Sequence, residues 1–410
     1  MDGGQGTVAF MHSDTSPRPA LHPAGRRGTR PGPHPDAAWY ARPAARSWTC
    51  RPAGHAGPAV HGFHASLPGY APTPLTEVPA LAAELGVGRL FVKDESARLG
   101  LPAFKVLGAS WAVHRAVCEY LGRPAPATLD ALRAHLAGGS PVRLLTATDG
   151  NHGRAVAHLA RLLGLSARIF VPDGVHTTAV AAIAAEGAEV VRVSGGYDAA
   201  VLRARESAAG PADIVVQDTA WPGYERIPGW VVEGYSTLFA EVDEQLRAAS
   251  AGPLGVLAVP VGVGSLAQAA VVHHRSGPAA GGRAPALLTV EPDTAAGLLE
   301  SLTAGALRTV PTGTTIMAGL NCGTPSSLAW PYLLRGVDAA IAVDDAATAR
   351  AVRDLGDLGV PAGPCGAASL AGLRAALTGD GAGARRAALA ADRDSTVVLL
   401  STEGKDANQH

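Results

Sequence analysis

An α/β fold made of two doubly wound domains with mainly parallel sheets is predicted by three features of the sequence. The chain has 410 residues, enough for roughly two domains of about 100 to 200 residues each, and with 47% of them apolar a large core is available. Glycine is abundant at 50 residues while aromatics make up only 5%, a mixture that suits close helix packing and backbone-lined ligand sites better than a β-sandwich. From Gly69 onward, short β-branched runs alternate with longer Ala/Leu-rich stretches, which is the punctuation of βαβ units.

Residues 1–37 are rich in Gly, Pro, Arg and His, as in Arg26-Arg27-Gly28-Thr29-Arg30-Pro31. They lack the apolar periodicity that would offset the entropy of ordering them, so they are expected to be disordered. Strands are expected at 89–93, 143–146, 167–171, 189–193, 214–217, 254–260, 286–291, 339–343 and 396–401. Helices are expected between and after them at 104–121, 153–163, 177–186, 197–209, 236–249, 266–275, 344–358 and 367–377. Strands separated by helices pair in parallel, and so many strands exceed one sheet of usual size, which is why two sheets are expected. No repeat of 20 to 50 residues is visible, so a solenoid is excluded.

Charge and cysteine content narrow the class of function. Lys+Arg number 34 against 35 Asp+Glu, so no net field draws the chain to nucleic acid or an anionic membrane, and a small-molecule substrate is expected. Cys50, Cys118, Cys322 and Cys365 lie far apart with no CxxC pair, a pattern unlike a zinc site or a disulfide framework. No apolar run reaches the 18 or so residues of a membrane span, and no basic-then-apolar leader opens the chain. The expectation is a cytoplasmic protein with no metal site.

Four constellations carry chemistry. In Ala103-Phe104-Lys105-Val106-Leu107-Gly108 a lysine opens a helix among apolar neighbours. Desolvation there lowers an amine's pKa and makes it a nucleophile for an aldehyde, although a lysine snorkelling to water fits the same letters. In Thr148-Asp149-Gly150-Asn151-His152-Gly153-Arg154, between a strand and a helix, glycines permit a tight turn against a ligand and Asn151 offers both a donor and an acceptor. The same letters fit an ordinary polar turn in which Asp149 caps the helix. In Val261-Gly262-Val263-Gly264-Ser265-Leu266-Ala267, glycines before a helix expose backbone N–H groups to a phosphate. That stretch also reads GxGxxA with the acid Glu291 at the end of the next strand, so a nicotinamide-dinucleotide site competes with it. Finally, Ser401-Thr402-Glu403-Gly404 ends the last strand, where a hydroxyl can bond a ring nitrogen or simply belong to a turn.

Taken in this order, the four segments resemble the tryptophan-synthase-β group of pyridoxal-phosphate enzymes, called fold type II. Within it, Lys93-Asp94-Glu95-Ser96, the Asp149 loop, Gln217-Asp218-Thr219-Ala220-Trp221, Ala318-Gly319-Leu320-Asn321-Cys322-Gly323 and Ser401-Thr402-Glu403-Gly404 resemble the diaminopropionate ammonia-lyases. Serine/threonine dehydratases share the Gly-Asn-His loop but usually carry a small uncharged residue where this chain has Asp149. The resemblance implies a cofactor, pyridoxal phosphate, in the cleft between two interleaved domains of a 38–410 catalytic region, the smaller covering about 108–230 and the larger the remainder.

It also implies roles for individual residues. Lys105 would hold the cofactor's aldehyde, Asn151 would sit beside its 3-hydroxyl and Gly262, Val263, Gly264 and Ser265 around its phosphate. Ser401 or Thr402 would face the pyridine nitrogen. Lys105 and Asp149 would remove the α-proton from opposite faces of the substrate, so that both enantiomers react, with Asp149 and Asp218 as the acids for the departing amine. A small amino acid as substrate and a homodimeric assembly complete the expectation.

Overall fold

The structure is a computed structural model that describes residues 38–50, 57–138, 141–277 and 283–407. The expected tail, residues 1–37, lies outside the described residues.

Among the described residues, eleven strands form two sheets. In chain order they are β1 (Trp39–Ala41), β2 (Leu75–Glu77), β3 (Arg89–Asp94), β4 (Arg143–Ala147), β5 (Ser166–Pro172), β6 (Glu189–Val193), β7 (Asp213–Val215), β8 (Leu254–Pro260), β9 (Ala286–Pro292), β10 (Ala339–Val343) and β11 (Thr396–Ser401). The larger sheet runs β1-β10-β9-β8-β11-β3-β2 and the smaller β6-β5-β4-β7. Every pairing is parallel except at the two margins of the larger sheet, where β1 and β2 pair antiparallel. The expected doubly wound, mainly parallel architecture is what the chain forms.

The central strands β8, β9, β10 and β11 are apolar almost throughout because helices cover both their faces, leaving no solvent side for polar alternation. The smaller sheet starts at β4 and is wound outward in both directions from it. The carboxyl ends of its strands therefore open a crevice where strand order reverses, the usual ligand site of such sheets.

Helix Lys105–Tyr120 crosses helix Arg226–Gly234 at very close range. A Cβ on Gly108 would stand 2.6 Å from the Tyr235 ring, and one on Gly234 would stand 2.5 Å from the Leu107 carbonyl oxygen. Glycine at both positions permits the approach that seats the start of the first helix.

The loop from β3 into that helix is tied down by a buried ionic cluster. Arg98 donates to both carboxylate oxygens of Glu95 (2.6 and 2.8 Å) and both of Glu241 (2.7 Å each). Lys93 Nζ donates to Glu241 Oε2 at 2.7 Å and to the Thr73 carbonyl at 2.8 Å. All four charged side chains are buried, so each is compensated by direct pairing rather than by water. The Lys93-Asp94-Glu95-Ser96 stretch thus anchors the loop that delivers Lys105.

Candidate active site

Five strand ends converge on one cleft. Lys105, Asp149, Asn151, Asp218, Gly262, Val263, Gly264, Ser265 and Thr402 all line it. They follow β3, β4, β7, β8 and β11, each at its carboxyl end.

Lys105 is the first residue of its helix, and the preceding Phe104 N–H donates to the Thr402 carbonyl at 3.2 Å, fixing the helix start to the end of β11. Its Nζ donates to Asp218 Oδ2 at 2.7 Å. Burial does favour the neutral amine, as the sequence suggests, but Asp218 more than offsets it and the amine is held above its ordinary pKa. The expectation of a lowered lysine pKa is therefore corrected for the chain without cofactor. Asp218 is conversely held low: burial opposes ionisation, and Lys105 overrides it with smaller help from His152 and Tyr197.

The Asp149 loop owes its shape to Thr148 and Gly150. Thr148 Oγ1 accepts from the N–H of Gly150 (2.9 Å) and of Gly153 (3.0 Å). Gly150 has φ 151° and ψ −83°, open only to glycine. The helix Asn151–Leu163 begins without a side-chain cap, so Asp149 does not play the capping role an ordinary turn would give it. Its carboxyl faces the cleft and is pushed up to about 7, chiefly by burial and then by the negative Asp218, with Lys105 opposing. Asn151 Nδ2 donates to Glu403 Oε2 at 2.8 Å across the cleft margin. His152 donates from Nε2 to the Val216 carbonyl at 2.8 Å, since a carbonyl only accepts, and burial lowers the ring's pKa against the opposing pull of Asp218.

Gly264, at φ +95°, turns the chain into helix Ser265–Arg275, whose N-terminus has no side-chain cap. A Cβ on Gly262 would lie 2.9 Å from the Gly319 carbonyl oxygen, so backbone alone fits between that wall and the cleft. Ser265 Oγ donates to the Asp218 carbonyl at 3.1 Å. Uncapped N–H groups at a glycine-lined helix start suit a phosphate.

Thr402 lines the cleft, whereas Ser401 Oγ is buried beside Gly366 and has no hydrogen-bond partner among the described residues. The fit to pyridoxal phosphate rests on this donor set: a primary amine in the cleft, an uncapped glycine-lined helix start, and a buried hydroxyl still wanting a partner.

Sequence reasoning missed four walls of the cleft: Phe104, Tyr197, Tyr235 and Cys322. Cys322 stands in a stretch singled out above, but nothing in its letters marks a lining thiol. Tyr197 opens an unremarkable helix. The dinucleotide alternative is not supported, because Glu291 lies outside the cleft lining and its carboxylate accepts from the N–H groups of Leu298 (2.7 Å) and Leu299 (2.8 Å). Among the described residues no helix is long and apolar enough to cross a membrane.

Comparison with known proteins agrees with this geometry. Residues 66–402 match the family described as pyridoxal-phosphate dependent enzyme. The diaminopropionate ammonia-lyase of Escherichia coli (strain K12) is 37% identical over 354 residues, covering 85% of this chain and 88% of that protein. The crystal structure of the Escherichia coli enzyme in complex with D-serine superposes with a TM-score of 0.82 at 32% identity, over 90% of this chain and 94% of that one. The human serine dehydratase-like protein is 29% identical over 190 residues, 45% of this chain and 52% of that protein. The chain thus belongs to the pyridoxal-phosphate dependent enzymes of fold type II and, among them, to the diaminopropionate ammonia-lyase family.

Proposed function

We propose that this enzyme eliminates ammonia from 2,3-diaminopropionate, D and L, consuming one water and yielding pyruvate and two ammonia. Bound pyridoxal phosphate supplies an electron sink for the charge left on the substrate's α-carbon. The observation that carries the proposal is the pair of cleft carboxyls, Asp149 and Asp218, grouped around one lysine amine and held at very different pKa values. Paired carboxyls whose pKa values are driven apart are suited to separate acid and base tasks.

The residues divide the work as follows. Lys105 would hold the cofactor's aldehyde through its amine, and the same Nζ, when free, takes the α-proton from one face of the substrate. Asp149 titrates near neutrality and is fitted to take that proton from the other face. Asp218 stays ionised, orients the substrate's ammonium groups and, with Asp149, manages the proton that the departing β-amine needs. Asn151 is assigned to the cofactor's 3-hydroxyl. The Gly262, Val263, Gly264 and Ser265 backbone is assigned to its phosphate, and either Ser401 or Thr402 to its ring nitrogen. In this proposal residues of about 108–230 form the smaller of two domains, and the enzyme acts as a cytoplasmic homodimer.

Turnover tests the proposal. The cofactor-loaded protein given D- or L-2,3-diaminopropionate should release pyruvate with two equivalents of ammonia. Efficient deamination of L-serine or L-threonine with no reaction of either diaminopropionate isomer would replace it with a dehydratase.

A further inference from the structure

Gln217 is fully buried just past β7, and none of the proposed chemistry uses it. The β4–β7 ladder ends with Leu145 opposite Val215. Beyond that point the Gln217 side chain replaces a strand. Its Oε1 accepts from Ala147 N–H and from Thr146 Oγ1, both at 2.9 Å, and its Nε2 donates to the Ala147 carbonyl at 3.0 Å. These partners fix the amide's orientation, because a flipped amide would set donor against donor and acceptor against acceptor at Ala147.

The amide also reaches the cleft. Nε2 donates to the Tyr197 hydroxyl oxygen at 2.6 Å. A phenol that accepts there has one hydrogen left to give, and Asp218 Oδ1 lies 3.3 Å away. The other oxygen of that carboxylate, Oδ2, accepts from Lys105.

We infer that Gln217 is a positioning residue, which fixes the Tyr197 hydroxyl as a hydrogen-bond donor to Asp218 and so holds that carboxylate turned toward Lys105. The direction of the hydrogen-bond chain matters. A donor to the carboxylate favours its ionised form, and a hydroxyl free to rotate away would withdraw that support.

The test uses Gln217→Met, which removes donor and acceptor at similar length, and Gln217→Leu, which does the same with a shorter side chain; neither adds a charge beside Asp218, whose Oδ1 lies 3.5 Å from the Gln217 amide nitrogen. Each is made alone and together with Tyr197→Phe. Two acid-side transitions are read: that of kcat/KM on L-2,3-diaminopropionate, whose α-proton the proposal gives to Lys105 and not to Asp149, and that of the visible absorbance of the cofactor-loaded, substrate-free enzyme. Only the first readout rests on the lyase proposal. The second responds to the charge of Asp218 because that carboxylate adjoins the lysine nitrogen that carries the cofactor.

Either Gln217 variant should move both transitions to higher pH by about one unit, the weight of one hydrogen bond to a charged group. The shift should be larger where Tyr197 is present than where it is already Phe. No shift, or an equal shift in both backgrounds, overturns the inference. If one variant does not fold, the other carries the same comparison. A parent that shows the visible absorbance but makes no pyruvate refutes the lyase proposal, while the absorbance transitions still decide the role of Gln217.

Discussion

Two residues at the cleft set expectations for its titration. Lys105 provides the amine that lines the cleft beside Asp218, and only a primary amine condenses with an aldehyde. Lys105→Ala should therefore lose the visible absorbance of the cofactor-loaded protein, and an unchanged spectrum would remove Lys105 from the chemistry. Asp149 makes a prediction about stability without cofactor. Its pKa is raised from 3.8 to about 7 in the fold, so its bound proton stabilises the native state fully below the unfolded value and that contribution is lost as pH rises through about 7. Asn in its place imitates the protonated form. The cofactor-free Asp149→Asn protein should gain melting temperature over the parent progressively as pH rises from 3.8 to about 7, levelling off above that; a gain that shrinks as pH rises would contradict this titration. The apolar setting of Lys105 is legible in its neighbours. Its charge state is not, because the deciding partner, Asp218, lies 113 residues away in sequence.

Among the elements, those of the parallel core were readable and the marginal ones were not. The strands expected at 189–193, 254–260, 339–343 and 396–401 form over those same residues, since long apolar or β-branched runs bounded by turns leave little choice of register. The strands β1 and β2 have three residues each, too few for any periodicity, and pair only because the margins of the larger sheet are open to them. The expected strand at 214–217 ends instead at Val215, because the Gln217 side chain takes over the pairing with Ala147. Several helices escaped notice, among them Pro79–Leu85 and Trp330–Gly336, which are short and begin at or next to proline.

Packing between elements gives two further expectations. Arg98→Ala leaves Glu95 buried without its cation and Glu241 paired with Lys93 alone, and should cost about 3–5 kcal/mol of unfolding free energy in denaturant titration; a loss near zero would mean that water reaches the cluster. A Cβ at Gly153 would stand 2.2 Å from Thr148 Cγ2 and 2.7 Å from Ile169 Cγ2. Gly153→Ala should accordingly displace the Asn151 turn and weaken cofactor binding. Unchanged affinity by absorbance titration would show that the turn tolerates the shift.

On the scale of the whole molecule, the two sheets bring different halves of the chemistry to one cleft. Lys105 is delivered by the loop that follows β3 of the larger sheet, and Asp149 by the turn that follows β4 of the smaller one. The proposed reaction of both enantiomers needs a base on each side, and Asp149→Asn tests the two separately. Asparagine keeps the size and part of the hydrogen bonding but takes no proton at neutral pH. The measurement is kcat/KM for D- and L-2,3-diaminopropionate on the cofactor-loaded Asp149→Asn enzyme relative to the parent. The D-isomer should fall by roughly 10²-fold or more, the usual weight of a general base, while the L-isomer, served by Lys105, keeps most of its rate. An equal fall for both isomers would contradict the two-base arrangement, and no fall for either would take Asp149 out of the reaction.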